Sequence, residues 1–464
     1  MSFEPENVLH SRSAPGASWS TINLSEAMPG VLTPLGWSVW GRAGEASARA
    51  PFVAMGALAR PEGGIPADPE ERAINIFYGR VAARVDFFCA MGDRLPGVTG
   101  EGISRDVFGF VPPGFLSRPS RRRWPISLVK FPAAFLGVPP AIRRGRKATE
   151  TWWRVELPRT ASLDLPAARA QLAAAARRFA SALAEQATAV ACGIQPVYEQ
   201  LSLLAAKAGV DGAALMTGHG SHEETVVIGD LWAISRGRLT LEAFLDRHGY
   251  HGPNEGEISG RVWREDAAPV ERLVERYRSL GDDADPAGTL ADRAAERRRA
   301  EAQLLDAVSG ARRAQARLLL GLADRYLPLR GVGKVSFLQT LDVARAVARR
   351  TGTLLAADGL LDDPEDVFYL TLGELTGDLP PDARDRVEER RELRRRYTGL
   401  EIPSCWTGPP EAHPVAAAEA VDSLTGVAAS PGVAEGKARV VTDPSDADME
   451  PGDVLVAHTT DPSW

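Results

Sequence analysis

From Leu290 to Tyr326 the chain is dense in Arg, Glu and Ala, with leucines at 304, 305, 318, 319, 320 and 322. Such a stretch is committed to one or two long helices with an apolar stripe and a solvated, charged face. After Pro166 an Ala-rich segment carries Leu172, Phe179, Leu183 and Val190 one or two turns apart. Alanine at the other positions lets a neighbouring helix approach closely. Further helices are predicted over 337–357 and 382–397. Another is predicted over 69–91, where Asp68 caps, Pro69 opens the first turn and Glu71 can reach back to a free amide. Ile74, Phe77, Val81, Val85 and Phe88 supply its periodicity, and Gly92 its stop. The first sixty residues, rich in Pro, Gly, Ser and Trp, read as irregular structure wrapped on a larger body. Strand candidates are few before residue 430, so the expected fold class is mainly α.

Charge and cysteine content narrow the function classes. Lys plus Arg number 54 against 61 acids, a net −7, which disfavours nucleic acid or another polyanion as partner. The three cysteines, Cys89, Cys192 and Cys405, lie far apart, with neither metal-binding spacing nor the density of a disulfide scaffold. That reads as a reducing, cytoplasmic setting. The amino-terminal residues lack a basic start followed by an apolar stretch, and no apolar run reaches the roughly 18 residues of a membrane helix. Ala133 to Ile142 is broken by Pro139 and Pro140. No stable membrane association is expected.

The pattern changes near the carboxyl end. Residues 401–423 hold Pro403, Pro409, Pro410 and Pro414 with little apolar periodicity and read as a hinge linker. Beyond it, Gly-Lys-Ala-Arg-Val-Val (436–441), Pro451-Gly452-Asp453 and Val454-Leu-Val-Ala457 spell strand, turn, strand.

Gly426-Val-Ala-Ala-Ser430-Pro431-Gly432-Val-Ala-Glu-Gly436, the Pro-Gly-Asp-Val-Leu-Val-Ala run and Thr460-Asp461-Pro462-Ser463-Trp464 together resemble a phosphohistidine swivelling domain. Trp19 to Leu35, His248-Gly-Tyr-His251-Gly-Pro-Asn-Glu255 with Trp263 to Asp266, and Asp363 to Glu374 extend the likeness. In order and spacing the chain resembles the phosphoenolpyruvate-utilising enzymes, in particular phosphoenolpyruvate synthase-like proteins and rifampicin phosphotransferases. The resemblance implies a helical acceptor-binding domain over 1–400, a hinge over 401–423 and the first strands of a β-rich (β/β/α) swivelling domain over 424–464. In that family an ATP-grasp domain phosphorylates a histidine on the swivelling domain, which carries the phosphoryl group to pyruvate or a drug hydroxyl. No Gly-rich nucleotide loop precedes Asn23, and the carrier histidine belongs beyond the Thr-Asp-Pro-x-Trp motif. The expectation is therefore an acceptor chain that binds no cofactor itself, with ATP and Mg²⁺ held by an ATP-grasp domain or partner chain.

Delivering a phosphoryl group to an acceptor calls for cations on a rigid element with water excluded. Arg330-Gly-Val-Gly-Lys334 fits, and it stands where the drug-phosphorylating branch has an Arg and a Lys four apart. Its two glycines leave the rigidity of the segment open, and a Gly-rich helix connection with exposed cations is the alternative. Among His248, His251, Glu255 and Glu257, proline and glycines favour a turn over a metal-binding helix, so no metal is expected. His251 or Glu255 is the candidate general base. Arg264 is expected to pair an acid, and Arg264, Thr33 and Pro34 are assigned to the substrate side.

Other features read more plainly. His219 and His222 sit in a Gly-rich turn, and His458 precedes the carrier position without matching it. Arg118 to Lys147 contains nine Lys or Arg and no acid, with Trp124, Phe131 and Phe135 interleaved. That run suits a solvated insertion, an anionic substrate, a nucleotide-binding partner or a membrane surface. The alternative function is a non-catalytic protein that sequesters an apolar small molecule among its helices.

Overall fold

The computed structural model describes residues 7–28, 30–219, 222–415, 433–441, 449–450 and 452–457. It is mainly α. Four long helices dominate: α1 (Pro34–Met55), α2 (Trp124–Arg159), α3 (Leu165–Ala189) and α4 (Leu329–Ala357). Helix α4 packs along both α3 and α2, and α3 also packs along α1. Leu35, Val39 and Trp40 meet Leu172 and Phe179 and the α4 residues Leu338, Leu341 and Val347 in one core. The Trp40 and Phe179 rings meet edge to face at 4.7 Å, a geometry that adds to the stabilisation from burial. A second core gathers Val138, Ile142, Leu201, Leu304, Leu319 and Tyr326. The helix expected after Pro166 begins at Leu165, with Pro166 in its first turn and Asp164 capping it through the Ala167 amide.

The amino-terminal sixty residues depart from the irregular structure expected of them. Thr33 caps α1 by accepting from the Gly36 amide, Pro34 occupies the first helical position, and Gly56 ends the helix at φ 85°. That start signal lies in the sequence, masked by the surrounding Pro, Gly and Trp.

The helix predicted over 69–91 is overturned. Asp68 does cap, but only a single tight turn, Pro69–Glu71, follows. A hairpin of β2 (Ile74–Phe77) and β3 (Arg80–Arg84) comes next, and a helix begins only at Val85–Gly92. Tyr78 and Gly79 both adopt positive φ, 48° and 74°, the conformation of a two-residue hairpin turn. All four residues of β2 are buried, so the alternation that marks a half-exposed strand is missing.

With β1 (Ser18–Ser20) and β4 (Cys405–Thr407) the hairpin forms an antiparallel sheet in the order β2-β3-β1-β4. Trp19 faces Trp406 across the β1–β4 pair. The early part of the segment read as a hinge is thus built into the body, and Leu400–Glu401 also pairs with His413–Pro414. Residues 416–432, including most of the Gly426–Gly436 motif, lie outside the described residues, as do His458 and the Thr460–Trp464 motif. Farther on, β5 (Ala438–Val441) and β6 (Val454–Ala457) pair in parallel.

Prolines 132, 139, 140 and 158 all lie inside α2 without ending it. The prolines at 139 and 140 therefore do not interrupt the apolar stretch. The helical segment 121–162 is the one among the described residues with the length and apolar composition to cross a membrane, and 22% of its most apolar window is buried.

Candidate functional site

The segment between helices Leu241–His248 and Ala268–Ser279 contains no regular element, yet it is fastened at many points. Its Glu257 is buried and accepts from the Thr33 amide (3.2 Å) and hydroxyl (2.7 Å), tying the loop to the start of α1. The Gly256 carbonyl accepts from Trp40 Nε1 at 2.6 Å. A Cβ on Gly256 would stand 1.8 Å from the Ala27 carbonyl oxygen, so the close approach itself requires glycine.

Helix α4 fastens the other side. Arg345, 1% exposed, donates to the carbonyls of Glu255 (2.9 Å) and Glu257 (3.1 Å). Arg349 pairs with Glu265 at 3.0 Å and donates to the Ser259 carbonyl at 2.8 Å. Asp342 is fully buried and accepts from Trp153 Nε1 of α2 at 2.8 Å and from Arg264. Burial pushes the Arg345 guanidinium below its ordinary value, with Asp342 and Glu265 opposing that shift. The two loop carbonyls at Nη2, and the Asp342 carboxylate 3.9 Å from Nη1, offset part of the cost of burying this guanidinium.

At the amino-terminal end of the same α4 ridge, Lys334 Nζ lies 3.3 Å from Glu255 Oε1. The other Glu255 oxygen lies 2.8 Å from His251 Nδ1. Burial raises the Glu255 carboxyl, but His251 and Lys334 outweigh it and hold the group below the usual carboxylate range. The Lys334 side chain is 37% exposed, whereas His251 and Glu255 are at 5% and 14%. The fold thus brings His251, Glu255 and Lys334 into direct contact.

The Arg330–Lys334 segment is no flexible connection: it forms the first turns of α4. A Cβ on Gly333 would overlap Gln186 Oε1 of α3, and Gln186 donates to the Arg330 carbonyl at 3.0 Å. The glycine serves close helix packing. Arg330 is exposed, one turn before Lys334 on the same face. Arg264 pairs with an acid as predicted, and that acid is Asp342. Thr33 and Pro34 are both buried at the α1 cap.

His248, His251, Glu255 and Glu257 do not converge on one point: His251 and Glu255 bond each other, Glu257 turns to Thr33, and His248 Nε2 bonds Asp230 Oδ2 at 2.8 Å. Burial lowers the His248 pKa despite that aspartate. Another cluster, His219, Glu301 and Asp324, has the reach for a cation. There Arg297 already stands 3.0 Å from His219 Nδ1 and 3.1 Å from Glu301, so a guanidinium supplies the positive charge. His222 lies where side chains are outside the described residues. Sequence reasoning missed Asp342, Arg345 and Arg349. Their signal is charge recurring at three and four residues inside an otherwise apolar helix.

The mainly helical body clasps a His-Gly-x-His loop against an Arg/Lys-bearing helix, and comparison with known proteins gives partial matches. Residues 197–331 match the family described as the rifampicin phosphotransferase fourth domain. A rifampicin phosphotransferase from a Streptomyces species is 34% identical over 244 residues, covering 49% of this chain and 27% of that protein. The rifampicin phosphotransferase of Bacillus subtilis is 32% identical over 128 residues, 26% of this chain and 14% of that protein. An uncharacterized Mycobacterium tuberculosis protein is 37% identical over 142 residues, 30% of this chain and 16% of that protein. Over residues 197–331 and the matched stretches, the chain is similar to the rifampicin phosphotransferases. The matched stretches span about a quarter or less of these relatives' length.

Proposed function

We propose that this chain supplies the acceptor site of a phosphotransferase in which a phosphoryl group passes from ATP, through a phosphohistidine, to a hydroxyl or enolate of a small molecule. The observation that carries the reading is the Lys334–Glu255–His251 contact at the open end of an otherwise buried ionic ridge. Phosphoryl transfer asks the protein mainly for positioning and for positive charge beside the moving oxygens. Lys334 and Arg330 sit one turn apart, about 6 Å along the α4 axis, so together they can flank such a group. Glu255, held ionised, is a weak proton acceptor at neutral pH. Its role in this reading is to fix the Lys334 ammonium, while His251 fixes Glu255. ATP and Mg²⁺ belong to a separate ATP-grasp domain or chain.

The test is to incubate the full-length protein with labelled ATP and Mg²⁺, with and without a candidate ATP-grasp partner, and with a panel of hydroxyl and keto-acid acceptors. Acid-labile protein phosphate is expected, with label moving to one acceptor class. Lys334→Met should leave the phosphoprotein intact and slow its discharge by about 100-fold or more, the scale of losing one preorganised charge contact. Absence of acid-labile label under every pairing would refute the relay.

A further inference from the structure

Helix α2 has two faces of opposite character. One, with Val138, Ile142 and Trp153, is buried against α3, α4 and the second core. On the other, Val129, Leu136 and Arg143 recur every seven residues, two helical turns, and all three are exposed, as is Arg122 in the tight turn Arg121–Arg123 that leads into the helix. Val129 and Leu136 are 74% and 66% exposed, and Leu128 beside them is 64% exposed. Pro132, Ala133 and Pro140 continue the apolar stripe between them.

The cations divide in the same way. Arg123 and Lys130 turn inward to the carbonyls of Gly56 and Val53, and Arg146 reaches Gln339. Arg122, Arg143, Arg144 and Lys147 stay exposed. They bracket the apolar stripe at both ends, some 30 Å apart at the helical rise. Arg144 and Lys147 also border a shallow, open surface depression along the same helix, together with Trp152, Val155 and Glu156.

We infer that this face of α2 docks reversibly on an anionic phospholipid surface. An apolar stripe bracketed by cations places its aliphatic side chains at the acyl boundary while guanidinium and ammonium groups meet lipid phosphates. The packed opposite face keeps the helix in the plane of the membrane, because a spanning pose would strip α2 from α3 and α4. In a chain of net −7, an acid-free run of nine cations is what permits approach to an anionic surface at all. The surface is distinct from the Lys334 site and stands whether or not the phosphoryl relay does.

The test is co-sedimentation of the full chain with vesicles of phosphatidylcholine containing about 30 mol% phosphatidylglycerol, against phosphatidylcholine alone, at low and high salt. Binding is expected to the anionic vesicles and to weaken with salt. The V129E/L136E variant and the R143E/R144E/K147E variant should each bind at least about tenfold more weakly. Circular dichroism checks that both fold, and the charge-reversal variant carries the test should the apolar one fail to. Equal binding to both vesicle types, or wild-type binding by the folded variants, overturns the inference. So does light scattering showing a dimer that V129E/L136E dissociates while vesicles are ignored.

Discussion

Glu374 offers the sharpest check of how the carboxyl-terminal part of the body is held. Its carboxylate accepts from the Thr371 amide (2.7 Å) and hydroxyl (3.0 Å), from both Arg390 terminal nitrogens (2.7 and 3.0 Å), and from Arg386 (2.7 Å). Burial raises the carboxyl pKa, but the Arg390 bonds and the Thr371 amide overcome it and hold the group at about 2, against an ordinary 4.5. That gap is equivalent to about 3 kcal/mol. Arg386 is 34% exposed, so solvent screening brings the net contribution nearer 2 kcal/mol. Because the folded pKa is depressed, the stabilisation is complete above the unfolded value near 4.5 and drains away as pH falls towards 2. Glu374→Gln should therefore lose about 2–3 kcal/mol at pH 7 in urea unfolding followed by far-ultraviolet circular dichroism. The difference between wild type and variant should shrink steadily between about pH 4.5 and 2. A gap below about 1 kcal/mol at pH 7, or one that stays constant down to pH 3, would refute the reasoning.

Two further substitutions probe the clasped loop. Asp342→Asn keeps an acceptor for Trp153 but removes the negative charge that Arg264 bonds and Arg345 faces, and should cost about 2–4 kcal/mol by urea unfolding, since breaking a buried pair from one side is expensive. Gly256→Ala forces a methyl group against the Ala27 carbonyl and should destabilise by about 2 kcal/mol or more, with the thermal midpoint as readout. A neutral result would mean that the loop does not pack against the Leu24–Ala27 turn in solution.

Helix position was legible where a stripe ran through an Ala-rich stretch, as after Pro166, and Arg264 was legible as half of an ion pair. What failed did so for local physical reasons. Ile74, Phe77 and Val81 fall at helical spacing, yet Tyr78-Gly79 is a hairpin turn, and burial of all of β2 erased the period of two that would have revealed it. Proline counting misread both ends of the problem: Pro34 starts a helix and Pro132, Pro139 and Pro140 ride within one. The loop contacts could be sensed only in part, because Thr33 and Glu257 are 224 residues apart in the chain and nothing local couples them.

The distribution of charge along α4 separates scaffold from function. Asp342, Arg345 and Arg349 lie deep, with guanidinium groups spent on loop carbonyls and carboxylates; such groups hold one geometry and are spatially unavailable to a ligand. Towards the amino terminus the same ridge rises to the surface, so Lys334 keeps over a third of its side chain exposed while still anchored by a buried carboxylate. An ion pair of that kind contributes little to stability, because its ammonium end is hydrated and screened. In the proposed relay it would fix a positive charge at the surface of the body before an anion arrives, the preorganisation that phosphoryl transfer rewards. The buried ridge therefore supports the exposed one. Loosening Asp342 or Gly256 should blur the position of Lys334 as well as lower stability, so under the proposed relay both variants should show slower discharge of labelled phosphoprotein to the acceptor even where circular dichroism finds them folded.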